Sequence, residues 1–191
     1  MLSGKPWLIL AGLVCLLPVP CHTRPDDRAQ DSRKAESERI LKGLRGVQVV
    51  VEDLRPPAQE AGLTKQGLQT DVESRLRRAG VRVLTEAPRG PHLLLNANVV
   101  RASLVGYYGW AIDLELKEPV RLERDPERTV WAVTWRPPSY RFGAASKSRL
   151  KGRVQQVVAE LADLFCSEYL AANSRAASAG TIRERRGSAG I

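Results

Sequence analysis

The longest run of strict alternation in the chain is "YYGWAIDLELKEPVRLERDPERTVWAVTW", residues 107–135. Tyr108, Trp110, Ile112, Leu114 and Leu116 fall on one parity, and Tyr107, Gly109, Ala111, Asp113, Glu115 and Lys117 on the other. Successive side chains of a strand point to opposite faces, so this run is a strand with one apolar face and one small or charged face. "RDPER" is turn chemistry, with Pro126 suited to a turn position. In the returning arm Trp131, Val133 and Trp135 share a parity. A tight turn on Asp125 and Pro126 sets Leu116 across from Trp135 and Val120 across from Trp131, a favourable pairing of aliphatic with aromatic partners. Trp110, Trp131 and Trp135 are therefore expected in a core rather than on an exposed platform. Tyr107 and Tyr140 are the aromatics most free to act on the surface. Glu118 and Pro119 break the pattern and mark a bulge, which leaves the register open by one residue.

The flanking segments supply the other elements. "GVQVVVEDL" (46–54) reads as a largely buried strand that Pro56 and Pro57 stop. A helix follows, with Thr64 as N-cap, Leu68, Val72, Leu76 and Ala79 at helical spacing, and Gly80 as its stop. "VRVL" (81–84) reads as a second short strand. In "HLLLNANVV", Leu93, Leu95, Ala97 and Val99 form the better core face, opposite Leu94, Asn96, Asn98 and Val100. "RPPSYRFGAASKS" (136–148) reads as a loop. Its Arg136, Tyr140, Arg141 and Phe142 are the candidate contact residues, because binding residues concentrate on loops held by a rigid sheet. A long amphipathic helix closes the domain, with Leu150, Val154, Val157, Val158, Leu161, Leu164 and Phe165 in one stripe and Cys166 well around from it. The expected fold is α+β. A mainly antiparallel sheet of four to five strands, in the order β-α-β-β-β-β-α, carries two helices packed on one face. The first strand–helix–strand unit allows a parallel pair with a right-handed crossover.

The ends divide differently. Lys5, the apolar run 7–17 and the break at Pro18, Val19, Pro20 and Cys21 have the layout of a secretory signal peptide over residues 1–21, cleaved before His22, with a cut a few residues later as the alternative. The apolar run is shorter than the roughly 20 residues of an ordinary membrane span. A cysteine closing that run keeps open a lipid-anchored alternative through Cys21 or Cys15, although neither follows the usual bacterial lipoprotein pattern. If Cys21 is retained, a bridge to Cys166 is open; otherwise Cys166 is alone in an oxidising compartment. Residues 22–45 read as a polar linker running into a short exposed helix, 46–172 as a single α+β domain, and 173–191 as a disordered basic tail.

The net charge of +9 is concentrated at the ends: residues 46–172 carry eighteen basic and fifteen acidic side chains. Without a concentrated basic face, specific nucleic-acid binding is not supported. Weak contact of the tail, or of "KSRLKGR" (147–153), with an anionic membrane or polymer stays open. His22 and His92 are the only histidines, and no CxxC pair occurs, so no metal site of the common zinc kinds and no cofactor is expected. A small hydrolase is the catalytic alternative. Ser139, Ser146 and Ser148 lack a GxSxG setting, and Asp113 and Glu115 sit about 7 Å apart on one strand face, a spacing more often found on a solvated face.

The run "VVVEDLRPPAQEAGLTKQGLQTDVESRLRRAGVRVL", with "LLLNANVV", "YYGWAIDLELKEPVRL" and "AVTW", resembles a group of uncharacterised exported bacterial proteins over about residues 44–173. The resemblance implies a bacterial source and an envelope location, and no activity. In architecture alone the element order is similar to small α/β modules of envelope assembly proteins, such as the amino-terminal domain of the Tol-system propeller protein. The expectation is an exported, noncatalytic envelope module whose partner is an unidentified protein or surface.

Overall fold

The structure, a computed structural model, describes the backbone of residues 25–102 and 106–187 and the side chains of residues 31–102 and 106–174. The expected signal segment, with Cys15 and Cys21, and the following His22 lie outside the described residues.

The fold is α+β, with a five-stranded, mostly antiparallel sheet. Its strands are β1 (Gln48–Val51), β2 (His92–Arg101), β3 (Tyr107–Leu122), β4 (Asp125–Trp135) and β5 (Arg141–Ser146). The helices are α1 (Pro25–Leu41), the short α2 (Pro56–Glu60), α3 (Lys65–Arg78) and α4 (Lys147–Gly187). β1 and β2 are parallel, Val49 opposite Leu93, and every other strand pair is antiparallel. β2 lies along one edge of β3. The other edge is shared by β4, opposite residues 116–122, and β5, opposite residues 107–112. Asp113, Leu114 and Glu115 face no strand there.

Alternation decides the faces. Leu93, Leu95, Ala97 and Val99 of β2, with Tyr108, Trp110, Ile112, Leu114 and Leu116 of β3, are buried beneath the helices. α3 supplies Leu68, Val72 and Leu76, and α4 supplies Leu150, Val154, Val157, Val158, Leu161 and Phe165. Thr64 caps α3, its Oγ1 accepting from the Gly67 N–H at 3.1 Å. Gly80 follows that helix at φ 79°, a left-handed geometry that glycine adopts without steric cost.

Several segments differ from expectation. Residues 22–45, expected as a polar linker running into a short exposed helix, contain the 17-residue α1, whose Leu41 joins the core. Asn173 of α4 holds the end of that helix: its Oδ1 accepts from the Gly43 N–H at 2.9 Å, and its Nδ2 donates to the Leu41 carbonyl at 3.0 Å. Tyr169 donates to the Leu44 carbonyl at 3.0 Å. The backbone of residues 173–187, expected as a disordered tail, continues α4. "VRVL" forms an isolated parallel bridge, Val47 to Val83, rather than a strand. Gly46 permits that approach, since a Cβ there would lie 2.6 Å from the Arg82 carbonyl oxygen. Cys166 is buried, because α4 packs against α3 as well as the sheet and so buries more than one stripe. It carries no disulfide among the described residues.

The hairpin of β3 and β4 carries the most informative difference. Leu116 pairs with Trp135, as expected, but Lys117 then pairs with Val133. The bulge at Thr134 switches parity, so Trp131 pairs with Pro119 instead of Val120. Trp135 stays in the core at 3% exposure, whereas Trp131, expected beside it, is 48% exposed. Val133 is turned outward as well.

Candidate functional site

α3 and α4 lie against the face that buries Leu93 and Leu114. The opposite face carries Val50, Leu94, Asn96, Asn98, Val100, Tyr107, Gly109, Ala111, Asp113, Glu115 and Lys117, extended by Trp131 and Phe142. It has two aromatic ends. At one end Trp131 stacks on His92, with ring centroids 4.8 Å apart and planes 15° apart. His92 Nε2 also lies 2.9 Å from the Ala87 carbonyl oxygen. At the other end Phe142, 77% exposed, sits across from Ala111; the small Gly109 and Ala144 pair two residues further along, and exposed Tyr107 faces Ser146 at the far end of β5.

Between these ends lie the paired carboxylates. Asp113 Oδ1 accepts the N–H of Leu114 at 2.9 Å, within the stretch of β3 that lacks a strand partner on one edge. Burial pushes the Glu115 carboxyl above its ordinary range. The Asp113 charge and a hydrogen bond that protonated Glu115 donates to that carboxylate add to the rise, while Lys117 and Arg136 oppose it. Lys117 Nζ stands 3.8 Å from Glu115 Oε2. The serines named for hydrolysis lie elsewhere: Ser139 accepts from Arg141, and Ser146 and Ser148 are 3.3 Å apart. His92 makes its contacts with Ala87 and Trp131 rather than with any of them. Among the described residues no group of three or more His, Cys, Asp or Glu could hold a metal ion. None of the described helices is long and apolar enough to cross a membrane.

The segment 136–148, expected as one loop, is a loop only as far as Tyr140; Arg141 and Phe142 begin β5. The reason is spatial. The Trp110 indole lies under Gly143, where a Cβ would come within 2.5 Å of its Cζ2, so this strand can run beside β3 only with a glycine there. Arg136 and Tyr140 pair within the loop, the guanidinium 5.8 Å from the ring centroid and its NH1 donating to Tyr140 Oη at 3.1 Å. Arg141 NH1 donates to Ser139 Oγ at 2.6 Å. Tyr140 (66% exposed) and Phe142 thus stand at the start of a sheet edge. Sequence reasoning missed that edge, although "RFGAAS" does alternate over six residues.

The free edges of the two outer strands differ. β4 carries Pro126, the charged Glu127 and Arg128, and a bulge, the features that blunt an edge against pairing. β5 pairs with β3 in unbroken register from Tyr107–Ser146 to Ile112–Arg141, and contains no proline or lysine. Among the described residues its backbone bonds to no element besides β3.

An open groove of about 960 Å³ lies on another side, between α1, α4 and the end of β4. Its lining mixes Arg33, Glu36, Ile40, Trp135 and Glu168. Trp135 Nε1 donates to Glu168 Oε2 at 2.6 Å, which fills the groove's polar wall from within the protein.

No protein-family model matches this chain, and no curated protein does. Among solved structures it is similar to the rare lipoprotein B from Shewanella oneidensis, at 18% identity and a TM-score of 0.31. That similarity covers 71% of this chain and 98% of the other. A likeness at that level assigns neither a family nor a role.

Proposed function

We propose that this chain is an exported, noncatalytic module that binds a protein partner by taking an extended segment of it along the free edge of β5. The observation that carries the reading is that edge. It presents a row of unpaired backbone N–H and C=O groups along the strand, without the prolines or bulges that would blunt it and with Arg141, at its start, as its one charged residue. Such a row is complementary to an extended polypeptide, which adds a strand through main-chain hydrogen bonds and uses adjacent side-chain sites for specificity. Phe142 and Tyr140 supply those sites at the start of the edge, and the small Gly143 and Ala144 let a second backbone approach closely. The amino-terminal layout supports export, and the envelope is the compartment in which a partner is sought.

The test is chemical crosslinking in the source cells with wild type, Phe142→Asp and Ala144→Pro. A discrete heavier species, lost in both variants while Phe142→Asp keeps the wild-type circular dichroism, supports the reading. Undiminished crosslinking of Phe142→Asp and Ala144→Pro excludes the β5 edge.

A further inference from the structure

Three buried polar side-chain atoms have no hydrogen-bond partner among the described residues: Tyr108 Oη, Trp110 Nε1 and Arg141 Nε. They share one neighbourhood. Tyr108 and Trp110 are alternate residues of β3 on the helix-facing side, and their partners across the ladder are Ala145 and Gly143. Arg141, two residues before Gly143, is on the same face and is a diagonal neighbour of Trp110, within reach of a long side chain. From the helix layer, the Arg153 guanidinium lies 5.8 Å from the Trp110 ring centroid. Trp110 is only 6% exposed, so its indole N–H has lost water without gaining an acceptor. A buried unmade bond of this kind is costly, and a cluster of them is unusual.

The chemistry of the cluster is one-sided. An indole N–H and a guanidinium N–H can only donate, and a tyrosine hydroxyl can donate as well. Neither Arg141 nor Arg153 pairs with a carboxylate among the described residues. Lys147, Arg149 and Lys151 are exposed on the first turns of α4, likewise without a carboxylate partner, and no acidic residue stands in the first turn of that helix. Cations at the positive end of a helix dipole repel it, so this arrangement favours an external anion. Arg153 is exposed and is held only by a 3.1 Å bond from its NH1 to Gln156, so it can swing off the indole without breaking an ion pair.

We infer that this corner, between β5 and the start of α4, binds a phosphate group. Trp110 Nε1, Arg141 Nε and the Arg153 guanidinium donate to its oxygens, and Lys147, Arg149 and Lys151 set the surrounding potential. The site faces the helix layer, away from the open sheet face, and stands independently of partner binding at the β5 edge.

The experiment is a titration of the purified chain with inorganic phosphate at constant ionic strength, read by the indole N–H signals in a nitrogen–proton correlation spectrum. Trp110→Phe assigns the signal. The Trp110 signal is expected to move downfield on adding phosphate and to stay still with chloride. Arg153→Gln and Arg141→Gln are each expected to weaken the apparent affinity about tenfold, as loss of one charge-assisted bond implies. If Arg141→Gln fails to fold, exposed Arg153→Gln decides. Sedimentation with phosphatidylcholine vesicles, with and without phosphatidic acid, separates the sources. Co-sedimentation that needs phosphatidic acid and Arg153 assigns the group to a lipid head; a phosphate shift without vesicle binding assigns it to a soluble phosphate or phosphoester. A Trp110 signal unmoved by phosphate in the folded chain, or moved equally by chloride, overturns the inference.

Discussion

Trp131 and Trp135 share a parity in the sequence and stand on opposite sides of a bulge in the structure, so replacing each by phenylalanine separates the two pictures. Trp135 is buried, meets Phe165 edge-on with ring centroids 5.0 Å apart, and donates to Glu168 at 2.6 Å. Trp135→Phe removes a hydrogen bond to a charged acceptor, of order 1.5 kcal/mol when the partly exposed acceptor regains water, and about 1 kcal/mol of apolar burial. The expected loss is about 2–3 kcal/mol, which lowers the melting temperature of a domain this size by about 6–9 °C. Trp131 is half exposed and stacks on His92, a contact that a phenyl ring largely keeps. Trp131→Phe should therefore change stability by less than about 0.5 kcal/mol. Thermal and urea unfolding, followed by circular dichroism, measure both. Equal losses for the two variants would refute the bulge-driven switch and return Trp131 to the core.

The remaining perturbations probe other joints. Gly143→Ala pushes a methyl into the Trp110 ring and should cost about 1–3 kcal/mol by overpacking, measured by the same melts. Asn173→Ala frees the end of α1, removing the side-chain acceptor of the Gly43 N–H and one of the two donors to the Leu41 carbonyl; a loss of about 1 kcal/mol and faster amide exchange at Gly43 are expected. The raised Glu115 carboxyl has a definite sign. Its contribution is fully present below the unfolded value, ordinarily 4.5, and is lost as pH rises through the higher folded value, because the unfolded chain releases its proton first. Glu115→Gln should remove that loss, so its stability relative to wild type grows with pH across that window in a series of urea melts. The Cys166 thiol is pushed up to about 11, chiefly by burial, so a thiol reagent at pH 8 should label it slowly in the folded chain and rapidly in urea.

Much of the fold was legible because its core elements are strongly periodic. The alternation in β2 and the first ten residues of β3, the cap at Thr64 and the stripe of α4 each name their buried residues directly. The pairing of Leu116 with Trp135 was readable from turn position alone. What followed was not, since a bulge reverses parity and periodicity has no means of counting the extra residue, even when Glu118 and Pro119 announce an irregularity. β5 was hidden for another reason. Its glycine and alanines look like loop composition, but Gly143 is a glycine because Trp110 occupies the space beside it. The helix before β1 was foreseen only as short and exposed, because α1 is mostly polar; the docking of its end by Leu41 and the bonds from Tyr169 and Asn173 was not legible. At the candidate site, the exposure of Tyr107 and Tyr140 could be read from the sequence, but the strand edge beside Phe142 could not. The cluster of unpartnered donors around Trp110 depends on three elements meeting, which no local pattern encodes.

Partner binding at the β5 edge is tested most directly by placing a photoreactive amino acid at position 142 in the source cells, with position 78 at the end of α3 as the comparison. Irradiation at position 142 should yield one discrete adduct. The crosslinked peptide should map to an extended segment of a partner protein, and position 78 should not form that adduct. Adducts of equal yield from both positions, or none from position 142 with the protein folded and exported, would contradict the account.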